Sequence, residues 1–93
     1  MKKEQIKKCW EHIREHIGDS CIDNLNGLTY GEAEEVVQDG NFACYFWTAR
    51  KFLMELYGET EEEAERYEDA EVWARYKHVI ALAISKHFKY ARQ

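Results

Sequence analysis

Residues 41–57, Asn-Phe-Ala-Cys-Tyr-Phe-Trp-Thr-Ala-Arg-Lys-Phe-Leu-Met-Glu-Leu-Tyr, decide how this chain folds. The stretch contains no proline, is bounded by Gly40 and Gly58, and shows none of the apolar–polar alternation of a half-buried strand. Asn41 is placed to cap a helix that Gly58 ends. Phe42, Ala43, Tyr45, Phe46, Trp47, Ala49, Phe52, Leu53, Met54, Leu56 and Tyr57 cover nearly its whole circumference. A helix that is apolar all round has to be covered on several sides. Residues 41–57 are therefore predicted to be the central core helix, or to turn part of their surface to a second chain.

The flanking segments supply the covering elements. From Lys2 to Ile17, the residues Ile6, Cys9, Trp10, Ile13 and Ile17 recur at helical spacing, with Lys3, Lys7, Glu11 and Arg14 opposite and Gly18 at the end. Ser20 to Leu25 reads as about one helical turn closed by Asn26-Gly27. Thr29 and Glu32 form a capping-box pair, predicting a helix from there to about Asp39 that stops at Gly40. Thr60 and Glu63 repeat the signature. Beyond them, Ala64 and Tyr67 fall out of phase with Trp73, Tyr76, Ile80, Ala83 and Ile84, so a break is predicted near Glu68 to Ala70. The last helix would then run from about Glu71 to near the C-terminus. The predicted fold class is all-α: a single domain over residues 1–93, with four to five helices around the apolar helix at about 41–57.

Composition narrows the function classes. Ninety-three residues are too few for two independent cores. The longest uncharged run, Gly40 to Ala49, has ten residues, well short of the roughly 18 that span a membrane. No apolar stretch follows the N-terminal lysines, so a signal peptide is not predicted. Three cysteines, Cys9, Cys21 and Cys44, are an odd number without C-x-x-C spacing. Free thiols in a reducing cytoplasm are expected.

Charge is segregated along the chain. Residues 1–18 carry net +2, residues 19–39 net −6 with no base, and residues 40–58 net +1. Residues 59–71 carry net −7, with Arg66 alone against Glu59, Glu61, Glu62, Glu63, Glu65, Glu68, Asp69 and Glu71; residues 72–93 carry net +5. As one continuous helix, the acidic segment would span roughly 20 Å at about 1.5 Å per residue, close to one charge per ~3 Å. Duplex DNA carries one per ~1.7 Å of axis. A basic groove built for phosphates would attract such a segment, and salt would screen the attraction. Glu59, Glu61, Glu62, Glu63, Glu65, Glu68 and Asp69 are the candidate partner-binding residues. The plain alternative is a solvated helix whose N-terminal glutamates complement its dipole.

Two weaker constellations remain. Cys9, His12 and His16 occur as C-x₂-H-x₃-H on one side of the first helix, soft sulfur and two imidazoles at metal-ligand spacing, without a named fourth ligand. Arg75, Lys86, Lys89 and Arg92 share a sector of the last helix and form a candidate anion-binding stripe, unless they neutralise acids within the molecule. With a formal charge of −5 and an isoelectric point near 5.3, direct nucleic-acid binding is disfavoured. Phosphate-binding glycine motifs are missing, and the five glycines fall at element boundaries, leaving no loop for an oxyanion hole beside a Cys–His pair.

These readings point to a non-enzymatic protein-interaction module without a cofactor: a small acidic inhibitor or adaptor whose partner is a protein, in the sharpest form a nucleic-acid-binding protein captured by nucleic-acid mimicry. In size, acidity and helical make-up the chain resembles small phage-encoded inhibitors of host defence such as the anti-CRISPR proteins. That likeness is one of composition, covers no motif and transfers no functional residue. A small-ligand- or metal-binding oligomeric bundle is the alternative. A homodimer or larger assembly is expected from the apolar helix at 41–57.

Overall fold

The structure is a computed structural model describing residues 1–41 and 46–92. Helix α1 (Lys3–Ile17) buries Ile6, Cys9, Trp10, His12 and Ile13 along one stripe. Gly18 follows it with φ +78°, a backbone region open to glycine, and donates its N–H to the Arg14 carbonyl. A 3₁₀ turn (Asp19–Leu25) then carries Ile22 and Leu25 into the core. Thr29 and Glu32 make the expected reciprocal cap at the head of α2 (Tyr30–Val36): Glu32 N–H donates to Thr29 Oγ1 at 3.2 Å, and Thr29 N–H to Glu32 Oε1 at 3.0 Å.

The predicted stop at Gly40 is not made. After α2 the backbone widens into a π-type turn (Val37–Asn41) and stays helical through Gly40. Glycine tolerates helical backbone as well as left-handed backbone, so by itself it does not end a helix. Helix α3 (Phe46–Tyr57) follows. The expected N-terminal part of that helix, with Phe42, Ala43, Cys44 and Tyr45, lies outside the described residues. From Thr48 to Tyr57 the helix is amphipathic: Ala49, Leu53 and Leu56 are buried while Lys51, Glu55 and Tyr57 are exposed.

Thr60 and Glu63 cap the short α4 (Glu61–Glu65) as expected. The chain then restarts at Glu68 into α5 (Asp69–Lys86), within the region where the phase break placed it. Helix α5 is packed against α1, α2 and α3 and buries Val72, Tyr76, Val79, Ile80, Ala81, Ala83 and Ile84. It, rather than residues 46–57, holds the middle of the described structure. It also ends earlier than its periodicity predicts. His87 leaves helical geometry (φ −131°), and a 3₁₀ turn (Phe88–Tyr90) follows. Side chains of α1 hold that ending in place: Trp10 Nε1 donates to the His87 carbonyl at 2.9 Å and Arg14 Nη1 to the Ala91 carbonyl at 2.7 Å. Every regular element among the described residues is helical, and the fold is an all-α small helical bundle.

Candidate functional site

The acidic segment is divided between two helices and the turn joining them, in line with the predicted break near Glu68 to Ala70, so it is not one continuous 20 Å helix. Glu59 belongs inside the fold. Its side chain is 14% exposed, and its Oε2 accepts from Tyr67 Oη and from Arg75 Nη2, both at 3.2 Å. The Arg75 guanidinium lies over the rings of Tyr67 (4.0 Å) and Tyr57 (5.0 Å). Glu59 is therefore withdrawn from the partner-binding set: it joins the C-terminal end of α3 to α5 and is not offered to another molecule.

The remaining acids stay on the surface. Glu61, Glu62, Glu63, Glu65, Glu68, Asp69 and Glu71 are all exposed. Glu63 is engaged by the cap, and hydrogen bonds from the Thr60 backbone and hydroxyl hold its carboxyl below the usual range. Glu62 pairs with Arg66 at 3.6 Å and Asp69 with Arg50 at 3.8 Å, but Glu62 and Asp69 are 84% and 83% exposed, so water screens both pairs. Glu61, Glu65, Glu68 and Glu71 have no ion pair among the described residues. Arg50, from α3, donates to the Ala64 carbonyl and, at 2.9 Å, to the Tyr67 carbonyl, closing the C-terminal end of α4. Glu61 and Glu65 border a surface hollow of about 340 Å³ together with Arg50, Lys51 and Met54.

The proposed anion stripe is not assembled. Arg75 is committed to Glu59 and the two tyrosines. Because α5 ends at Lys86, Lys89 and Arg92 leave its face: Lys89 sits over the Tyr90 ring at 5.4 Å, and Arg92 bonds Asp23 at 3.0 Å. Intramolecular neutralisation, the alternative reading of these bases, describes Arg75 and Arg92. Lys86 stays exposed at the helix end, where a cation complements the dipole.

The metal triad is not assembled either. Cys9 is fully buried, lies 4.0 Å from the Met1 sulfur, and has its thiol pushed up to about 12 by burial, so it stays protonated. His12 Nε2 is hydrogen-bonded to Tyr76 Oη at 2.6 Å. His16 Nδ1 lies 3.0 Å from the His12 carbonyl, which only accepts, so this nitrogen carries the proton. Among the described residues no group of three or more His, Cys, Asp or Glu side chains is placed to hold a metal ion.

What the two histidines do form is a cleft that sequence reasoning missed. Helices α1 and α3 run antiparallel: Gln5 Nε2 donates to the Leu56 carbonyl at 3.3 Å, Lys8 Nζ to the Glu55 carbonyl at 3.4 Å, and His12 stacks on Phe52. Phe52, His12 and His16 make a column of rings with centroid separations of 4.2 and 4.1 Å and tilts of 28° and 35°. This column lines an opening of about 290 Å³ whose rim carries Glu11 and Glu15 from α1 and Lys51 and Glu55 from α3. The i, i+4 spacing of His12 with His16 and of Thr48 with Phe52 marks a face on each helix. That these two faces meet is a tertiary fact with no local signal. Burial and the neighbouring His16 lower the His12 pKa to about 4, so its imidazole is neutral at pH 7.

No helix among the described residues is long and apolar enough to cross a membrane. No family model, curated protein or solved structure matches the chain.

Proposed function

We propose that this chain is a non-enzymatic protein-interaction module whose working surface is the exposed acidic stretch from Glu61 to Glu71, and that its partner is a nucleic-acid-binding protein engaged through the groove that otherwise takes phosphates. One observation carries this reading: seven exposed carboxylates against one exposed guanidinium within eleven consecutive residues, four of the carboxylates without an ion pair among the described residues. Capping α4 uses Glu63, and Glu61, Glu62, Asp69 and Glu71 complement the helix dipoles from the first turns of α4 and α5, but Glu61 and Glu65 meet as like charges four residues apart. A dense anionic surface steers a basic partner at long range and loses strength as salt rises.

The test is affinity capture from the native lysate, followed by displacement. The captured protein is expected to bind nucleic acid and to be released by heparin as well as by salt. A partner without nucleic-acid affinity, or one retained against heparin, contradicts the mimicry. The matched control is Glu61→Lys with Glu62→Lys and Glu65→Lys, leaving Glu63 in place so that the cap survives. Capture is expected to be lost while the helical circular-dichroism signal is kept.

A further inference from the structure

We propose that the cleft between α1 and α3 is a receptor for a single arginine side chain, its guanidinium stacked on the outward face of an end ring of the Phe52–His12–His16 column and hydrogen-bonded by the carboxylates at the rim. The size suits a side chain better than a cofactor: about 290 Å³ lies at the small end of ligand sites, which run from roughly 300 to 1,000 Å³. The lining suits a planar donor. Guanidinium stacks on aromatic faces and presents a rigid fork of N–H groups to carboxylates.

The cleft is rich in acceptors. Glu11, Glu15 and Glu55 supply three carboxylates. The Nδ1 proton of His16 is held by the His12 carbonyl, which leaves Nε2 as the ring nitrogen open to a further partner. His12 is 7% exposed and lines the cleft with its ring. Three carboxylates face the two ammonium groups of Lys8 and Lys51, a net charge of −1, with Lys8 turned to the Glu55 carbonyl. Anionic ligands such as nucleotides would meet that excess of negative charge, and a lysine would supply charge without the planar face.

The position of the cleft links it to the acidic surface. Lys51 borders both the cleft and the hollow that holds Glu61 and Glu65, so the two features lie side by side across one α3 residue. A basic groove docking on Glu61 to Glu71 would carry arginines within reach of the cleft. The identity of the arginine's owner, a basic protein partner, rests on the function proposed above; the guanidinium specificity of the cleft does not.

The experiment is an NMR titration of the isotope-labelled chain with acetyl-arginine-amide and, in parallel, acetyl-lysine-amide, following the ring signals of His16 and Phe52. Arginine is expected to give saturable shifts at both rings, with lysine weaker by roughly threefold or more. Glu11→Gln with Glu15→Gln, both exposed positions, is expected to weaken arginine binding by a similar factor. Glu61→Lys with Glu62→Lys and Glu65→Lys adds positive charge beside the cleft and is expected to weaken both probes alike, leaving the arginine-over-lysine preference unchanged. The proposal is overturned by rings that do not respond, by equal responses to the two probes, or by a Glu11/Glu15 variant that binds as tightly as the parent. If the rings stay silent while charge reversal still abolishes partner capture, the cleft assignment fails and the acidic-surface reading stands. A normal arginine titration with capture insensitive to reversal gives the converse.

Discussion

His12 shows how one buried side chain can set a pH limit. Its imidazole is stacked between Phe52 and His16 and bonded to the fully buried Tyr76, so protonation would place a charge where water is scarce. The folded-state value near 4 lies below the ordinary 6.5, chiefly through burial and then through His16. The unfolded chain therefore binds this proton more readily. The stabilising effect is complete above pH 6.5 and is lost as pH falls from 6.5 through 4. At about 1.4 kcal/mol per unit, the loss is at most roughly 3–4 kcal/mol, reduced to the extent that water reaches the ring through the cleft. Urea unfolding at pH 7 and at pH 4.5 measures it, with His12→Gln as the control. The parent is expected to lose clearly more stability than the variant between the two pH values, and equal losses would contradict the assignment. Cys9 illustrates the opposite effect of burial: its thiol is pushed up and kept inert, so spacing that suits a metal does not make a ligand.

At the scale of elements, the local signals in the sequence were legible and the joints between helices were not. Both Thr-x-x-Glu capping boxes form where the sequence places them, because a cap is a four-residue interaction complete within its own segment. The break before α5 is likewise a local change of phase. The cluster of Glu59, Tyr67 and Arg75 is different. Residues eight and sixteen apart meet only because α3, α4 and α5 fold back on one another, and so Glu59 reads as one more surface acid from sequence alone. The same limit hid the cleft, whose two walls are more than thirty residues apart. Three expected outcomes follow for these elements. Thr60→Ala should cost about 1 kcal/mol through the lost N-cap. Arg75→Ala should cost more, about 2–3 kcal/mol, by leaving the half-buried Glu59 carboxylate without its cation and removing the stacking on Tyr67 and Tyr57. Arg75→Lys should fall between, since it keeps the charge and loses the planar contact. Chemical denaturation of the three variants checks the order, and an Arg75→Ala loss no larger than that of Thr60→Ala would contradict the role given to the cluster.

For the whole molecule, the all-α class follows from the same arithmetic of periodicity and absent proline that opens the sequence reading. The central position does not. Helix α5 takes it, packed against α1, α2 and α3 with Ala81 and Ala83 fully buried, whereas the described part of α3 keeps a charged outer edge. Three of the thirteen bases are engaged within the fold, Arg50 on the Ala64 and Tyr67 carbonyls, Arg75 on Glu59 and Arg92 on Asp23, while the carboxylates from Glu61 to Glu71 remain turned to solvent. That asymmetry is the basis of the functional reading. The homodimer expected from the apolar run at 41–57 is a separate question, which light scattering on a sizing column decides: twice the chain mass is expected, and a strict monomer at high concentration contradicts it.

The most direct test of the working surface is the dissociation constant of the captured partner, measured for the parent chain and for the Glu61→Lys, Glu62→Lys, Glu65→Lys variant over a range of salt. Six units of charge change on an exposed surface are expected to weaken binding by roughly a hundredfold or more at low salt, and to flatten the salt dependence, with helicity unchanged. An equal dissociation constant and an equal salt slope for the two proteins would contradict the account.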